Sequence, residues 1–145
     1  MATIQDILAR KGAQVTSVTA EASVLEAAIL MNEHKIGCLV VMDGPTVSGI
    51  FSERDVLRRV VAERRDPASV RVREVMTKEV ICCRPDTDVN EARSVFRNRR
   101  IRHLPVVDRE EKLVGLVSIG DLNAFDAVVQ ESTIHLLHEY IYGSR

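Results

Sequence analysis

One seven-residue pattern, written twice, constrains this chain more than any other feature. Gly49-Ile50-Phe51-Ser52-Glu53-Arg54-Asp55 and Gly115-Leu116-Val117-Ser118-Ile119-Gly120-Asp121 both read Gly-x-x-Ser-x-x-Asp. Their glycines stand 66 residues apart in a chain of 145, so the spacing is nearly half the length. Repetition at that period points to a duplicated structural unit. A unit of that size is too small for a large core of its own, so two copies are expected to share one.

The rest of the sequence repeats in step. Val15, Val24, Glu26, Ala27, Ile36, Leu39, Val41 and Asp43 recur as Val80, Val89, Glu91, Ala92, Ile101, Leu104, Val106 and Asp108, all at an offset of 65. Ile4, Ile7 and Leu8 have helical spacing and match Val72, Val75 and Met76, with Lys11-Gly12 ending the first of these helices. Val15 to Val18 and Val80 to Cys82 read as small strands. Ser23-x-x-Glu26 and Asp88-x-x-Glu91 are helix-start patterns in front of apolar faces. Cys38 to Met42 and Leu104 to Val107 are continuous apolar runs of strand length, and Val47 to Phe51 and Leu113 to Val117 are the returning strands. Ser52 opens a helix towards Glu63 with Val56, Leu57, Val60 and Val61 as its buried side, and Ser118 opens one towards Gln130. The first copy carries three extra residues before its small strand, and the second has one extra in its hairpin. Indels at such places belong to loops. The expected fold class is α+β, with units at 1–66 and 70–130, a polar connector at Asp66-Pro67-Ala68-Ser69, and a helical tail at 131–145 carrying Ile134, Leu137, His138 and Ile141. The strand faces of the two units are expected to meet about a pseudo-two-fold axis.

Composition removes several function classes. Aromatic residues make up 3 % with no Trp, so the core is aliphatic and a base-stacking surface is not expected. A net charge of −1 argues against bulk binding to nucleic acid. The first ten residues lack the apolar run of a secretory signal, and Cys38 to Met42 is too short to span a membrane. Three cysteines, two of them adjacent, do not suit a disulfide framework, which points to a reducing, cytoplasmic location. Cys82 and Cys83 are expected to serve as small buried residues, since adjacent cysteines rarely bridge without strain. His34, His103, His135 and His138 lack the spacing of a metal site, and no base stands beside Ser52 or Ser118 to make a nucleophile.

The repeated motif supports two compatible readings. Ser118 followed by Asp121 is a helix cap, with the acid favourable in the first turn. The same geometry makes an anion site: helix N–H groups and the serine hydroxyl face a phosphate, and the aspartate accepts from ribose hydroxyls. Arg102 and His103, at the entrance of the second buried strand, add a planar guanidinium for phosphate and a pH-sensitive donor. Pro105 tolerates its missing N–H at the start of that strand and shapes the pocket wall. In the first copy Gly37 and Cys38 replace Arg102 and His103, and Arg54, Lys35 or Arg58 compensates. The sites are therefore expected to be unequal, with the one at Asp121 the better phosphate binder.

Two units of this order, each carrying Gly-x-x-Ser-x-x-Asp before a helix, with Arg102-His103-Leu104-Pro105-Val106-Val107-Asp108 leading into the second, resemble a pair of CBS domains. These are the regulatory modules named after cystathionine β-synthase, and the resemblance covers about Ile4 to Gln130. It implies a stand-alone, non-enzymatic sensor that binds an adenosine-containing ligand such as AMP, ADP, ATP or NAD in the cleft between the units, with no obligatory cofactor and no metal. It implies that the small strands wall the base, Val15 to Ser17 at one site and Val80 to Cys82 at the other, and so adds Thr16, Ile81 and Cys82, together with Ile36, to the set of Ser52, Arg54, Asp55, Arg102, His103, Pro105, Ser118 and Asp121. It also implies a homodimer of pairs acting in signal transduction on a regulated enzyme, with neither nucleic acid nor membrane as partner. The alternative from a different class is an interaction protein in which the motif is only a helix cap and the partner is an enzyme or redox protein. An enzyme acting on a nucleotide has little support, because no acid–base or metal set converges.

Overall fold

A computed structural model describes the backbone of residues 1–142 and the side chains of residues 1–130. The first copy runs α1 (Ile4–Lys11), β1 (Ser17–Thr19), α2 (Val24–His34), β2 (Cys38–Asp43), β3 (Thr46–Ser52) and α3 (Glu53–Asp55). α3 continues without a break into a wider π-type segment, Val56–Val61. The second copy runs α4 (Val72–Val75), α5 (Val89–Arg99), β4 (His103–Val107), β5 (Leu113–Ser118) and α6 (Ile119–Tyr142).

The two hairpins are built alike. Cys38, Leu39, Val40 and Val41 face Ser52, Phe51, Ile50 and Gly49 across β2 and β3. His103, Leu104, Pro105 and Val106 face Ser118, Val117, Leu116 and Gly115 across β4 and β5. Each ladder shifts register one residue further on, between Val41 and Met42 and between Val106 and Val107. The continuous apolar runs are buried on both faces, as such runs must be: Leu39, Val40, Val41 and Val106 are fully buried. Outside the hairpins the copies differ. β1 pairs in parallel with β2, making a three-stranded sheet. Its counterpart is not a strand over Val80 to Cys82. It shrinks to one bridge at Cys83, whose N–H reaches the Pro105 carbonyl at 2.9 Å and whose carbonyl accepts from Val107 at 2.9 Å.

Each opening helix crosses to the other copy. Ile4, Ile7 and Leu8 of α1 pack with Val89, Ala92, Phe96, Leu104 and Val117 of the second copy. Val72 and Val75 of α4, with Met76, pack with Val24, Ala27, Leu39 and Phe51 of the first. Backbone bonds seal both crossings. Ile4 N–H donates to Thr87 O (2.9 Å) and Val89 N–H to Ala2 O (3.0 Å), while Val72 N–H donates to Ala22 O (2.8 Å) and Val24 N–H to Val70 O (2.8 Å). The molecule therefore has two cores, each assembled from both halves of the sequence.

The repeated glycine lies under these crossings. A Cβ on Gly49 would stand 2.8 Å from Met76 Sδ and 2.9 Å from the Thr77 carbonyl, and one on Gly115 would stand 2.8 Å from Leu8 Cδ2. The motif needs glycine because the crossing segment lies directly on the strand.

Three expectations need correction. Leu57 and Val61 were expected on a buried face but are 60 % and 61 % exposed, while Val60 is fully buried. Leu57 and Val61 each stand one residue past an inward-facing valine, Val56 or Val60, and their counterparts on the regular helix α6, Asn123 and Ala127, are exposed in the same way. The π-type winding shows in bonds from Ala62 N–H to Leu57 O and from Arg65 N–H to Val60 O at 2.9 Å. Cys83 is buried, but Cys82 is exposed. The tail is not a separate helix: α6 runs unbroken from Ile119 to Tyr142. The apolar face expected of Ile134, Leu137, His138 and Ile141 lies outside the described side chains.

Candidate functional site: a cavity between the two motifs

Both motifs close their turns in the same way. Ser52 N–H donates to Asp55 Oδ2 at 3.0 Å, and Asp55 N–H returns to Ser52 Oγ at 3.4 Å. Ser118 N–H donates to Asp121 Oδ2 at 2.8 Å, and Asp121 N–H returns to Ser118 Oγ at 3.1 Å. The residue after each serine anchors the helix to the entrance of the buried strand. Glu53 N–H bonds Gly37 O at 3.0 Å, and Ile119 N–H bonds Arg102 O at 3.1 Å. The capping geometry is therefore present twice.

The surroundings of the two aspartates differ. Asp55 is buried, with 7 % of its surface exposed. Arg59, one turn along the helix, brings its Nε to 3.8 Å from Asp55 Oδ1 and donates through its terminal nitrogen to Val75 O (3.0 Å) and Met76 O (3.1 Å). Asp121 instead meets Lys11, at the end of α1, whose Nζ stands 2.7 Å from Oδ2 and also 2.7 Å from Leu116 O.

A cavity of about 770 Å³ opens between the motifs. Ser52, Arg54 and Asp55 line it from the first copy, and Ile81, Arg102, His103 and Ser118 from the second. Its volume is within the range that holds a small organic ligand. Sequence reasoning did not single out several further lining residues: Glu53, Arg59, Thr77, Glu79, Arg100 and Asn123. Arg59 was legible in principle, being one helical turn beyond Asp55. Thr77 and Glu79 reach the cavity only because α4 crosses over. Thr77 pairs with Ile50 through bonds of 2.8 and 3.0 Å.

Other residues of the expected set stand apart from this lining. Asp121 is not among the lining residues. Pro105 is buried within β4 and uses its carbonyl to bind Cys83. Thr16 offers its carbonyl to Val40 N–H at 3.4 Å, beside β1. Cys82 is exposed away from the lining. Ile36 is also outside it, although its counterpart Ile101 lies within.

The electrostatics follow from this arrangement. Five arginines (Arg54, Arg58, Arg59, Arg100 and Arg102) line the cavity against three carboxylates (Glu53, Asp55 and Glu79), so its wall is net cationic. Burial holds the His103 imidazole below its ordinary range, opposed by the Asp121 charge, reinforced by Lys11 and Arg102, and opposed again by Glu53. Burial pushes the Cys38 thiol up to about 12, with the Asp55 charge adding to the effect. Burial likewise pushes Cys83 up to about 12, which leaves both thiols protonated and unreactive. Among the described residues no group of His, Cys, Asp or Glu is placed to hold a metal ion, and no helix is long and apolar enough to cross a membrane.

An α+β chain of two like units, with exchanged opening helices and a serine–aspartate turn in each, is a module of two paired domains. The chain belongs to the CBS domain family, whose model matches residues 4–62 and 72–127. It is 35 % identical over 152 residues to the mitochondrial CBS domain-containing protein CBSX3 of Arabidopsis thaliana, covering 97 % of this chain and 72 % of that one. Among solved structures, a protein with CBS domains from Burkholderia ambifaria MC40-6 is 41 % identical with a TM-score of 0.80, over 83 % of this chain and 90 % of that one. The hexameric CBS-CP12 protein from bloom-forming cyanobacteria is 30 % identical with a TM-score of 0.75, over 83 % of this chain and 66 % of that one.

Proposed function

We propose that this CBS-domain regulatory module senses a phosphate-bearing adenosine ligand, such as AMP, ADP, ATP or NAD, in the cavity between its motifs. One observation carries the reading: Ser52 and Asp55 share a cavity with Arg102, His103 and Ser118, so a ribose acceptor and phosphate donors face one space. Asp55 accepts from the ribose hydroxyls. The arginines and the hydroxyl of Ser118 take the phosphate, and Ile81 and Val80 offer apolar surface to the base. The chemistry is recognition rather than turnover. Ligand acts by favouring one of two arrangements of the copies, and so changes what the module presents to a regulated enzyme.

The test is thermal unfolding with AMP, ADP, ATP and NAD, on wild type and on Asp55→Asn. A ligand at about a hundred times its dissociation constant adds roughly 2.7 kcal/mol of stability. The expected result is a raised midpoint with at least one nucleotide, abolished in Asp55→Asn. No shift with any of them leaves the interaction protein as the better account. A shift that survives Asp55→Asn puts the ligand elsewhere.

A further inference from the structure

We infer that Lys11 is a built-in occupant of the second motif, so that each chain offers one aspartate, Asp55, to a nucleotide. The inference rests on the nucleotide reading above and explains why two motifs of the same construction do not give two equal sites.

The repeat supplies an internal control. Asp55 and Asp121 are built by the same turn, yet Asp55 lines the cavity and Asp121 does not. The difference stands beside the carboxylates. Lys11 Nζ reaches Asp121 Oδ2 at 2.7 Å, with a second bond of 2.7 Å to the Leu116 carbonyl that fixes it in place. The side chains of that pair are 33 % and 24 % exposed, so the contact is partly shielded from solvent. At the offset of 68 that aligns the two opening helices, Lys11 falls against Glu79, which lies beyond the end of α4 and lines the cavity. Among the described residues Asp55 has no ammonium in hydrogen-bond contact; its nearest cation there is Arg59, whose Nε stands 3.8 Å from Oδ1.

Local backbone explains the exchange. In the first copy the Ile50 carbonyl accepts from Thr77 N–H at 2.8 Å, so the crossing chain itself satisfies the strand. In the second, the equivalent carbonyl, Leu116, is satisfied by the Lys11 side chain. The chain leaves α1 through Gly12 at φ +96, in the stretch where the first copy carries its three extra residues. An ammonium at that place neutralises the acceptor that a ribose diol would use. Exchanging Lys11 for an uncharged side chain of similar length removes the ammonium and both of its bonds.

The experiment is isothermal titration calorimetry of the full chain with AMP and with ATP. Wild type is expected to bind one nucleotide per chain, lost in Asp55→Asn. Lys11→Met is expected to bind two, and Lys11→Met combined with Asp121→Asn to return to one. Lys11→Arg, which keeps a cation there, is expected to stay at one. Two sites in wild type, or one site in Lys11→Met with the Asp55 site still active, overturns the inference and leaves the nucleotide reading standing. Absence of binding in every variant overturns the nucleotide reading and this inference with it. Matching thermal unfolding of each variant without nucleotide shows that the fold is retained.

Discussion

His103 bears on both the stability of the fold and the proposed capture of a ligand. It opens β4 opposite Ser118, half-buried, and feels the charges of Asp121, Lys11, Arg102 and Glu53. Its pKa is lowered in the folded chain, chiefly by burial. Between that lowered value and the unfolded value of about 6.5, the unfolded chain holds more protons, so stability falls as pH drops through this window and is fully present above it. His103→Gln is expected to flatten the acid side of the stability profile, measured by urea unfolding at several pH values. A phosphate in the cavity has the opposite linkage, because it favours the imidazolium. Nucleotide affinity is expected to rise more in wild type than in the variant as pH falls towards the histidine's range, the variant keeping only the pH dependence of the phosphate itself. Equal profiles in both proteins would remove His103 from the site. The histidine was legible in the sequence as a donor beside the motif. Its neighbour Lys11 was not, because nothing local in the sequence ties the end of α1 to a residue 110 positions later.

At the scale of elements, sequence periodicity served the hairpins and helices well and failed at two kinds of place. It recovered β2 to β5, α1, α2 and α5, whose apolar positions recur at fixed periods. It missed the π-type stretch at 56–61, since a widened turn leaves the same residues in the same order and only rotates them. It also over-read the small strand at Val80 to Cys82, because β-rich composition there meets only one pairing position, Cys83 with Val106. The motif glycines show how tertiary contact decides a residue type. Gly49→Ala and Gly115→Ala are both expected to destabilise, by about 1–3 kcal/mol, as overpacked sites do. The Gly49 change should cost more, because its new methyl meets the Thr77 carbonyl as well as Met76, whereas at Gly115 the obstacle is the end of the Leu8 side chain. Chemical unfolding midpoints decide it, and a Gly115→Ala loss that Leu8→Ala partly relieves would confirm the contact.

At the scale of the whole molecule, the repeat breaks its symmetry outside as well as inside. Leu25 and Ile29 on α2 are 41 % and 49 % exposed, and Leu57 and Val61 more so. Their counterparts in the second copy are Asn90, Ser94, Asn123 and Ala127, polar or small at every place. Val128 and Val129 on α6 are exposed as well, but at these four places the first copy is apolar where the second is polar or small, which suits self-association through the first copy. Self-association through these residues would be an isologous contact in which each patch meets its like. Leu57→Asp is expected to halve the mass seen by light scattering without lowering the unfolding midpoint of the monomer. A wild type that is already monomeric, or a variant that stays dimeric, counts against this face.

The exchange of opening helices has a further consequence. Neither half of the chain closes by itself: residues before 12 complete the later core, and residues 72–76 complete the earlier one. The peptide between the copies is therefore not a hinge but a short tether across a clasp whose two arms already hold each other. Severed there, the pieces would remain hooked together. A single copy made alone would have an arm to give and a gap to fill, and would find both in a second molecule of itself.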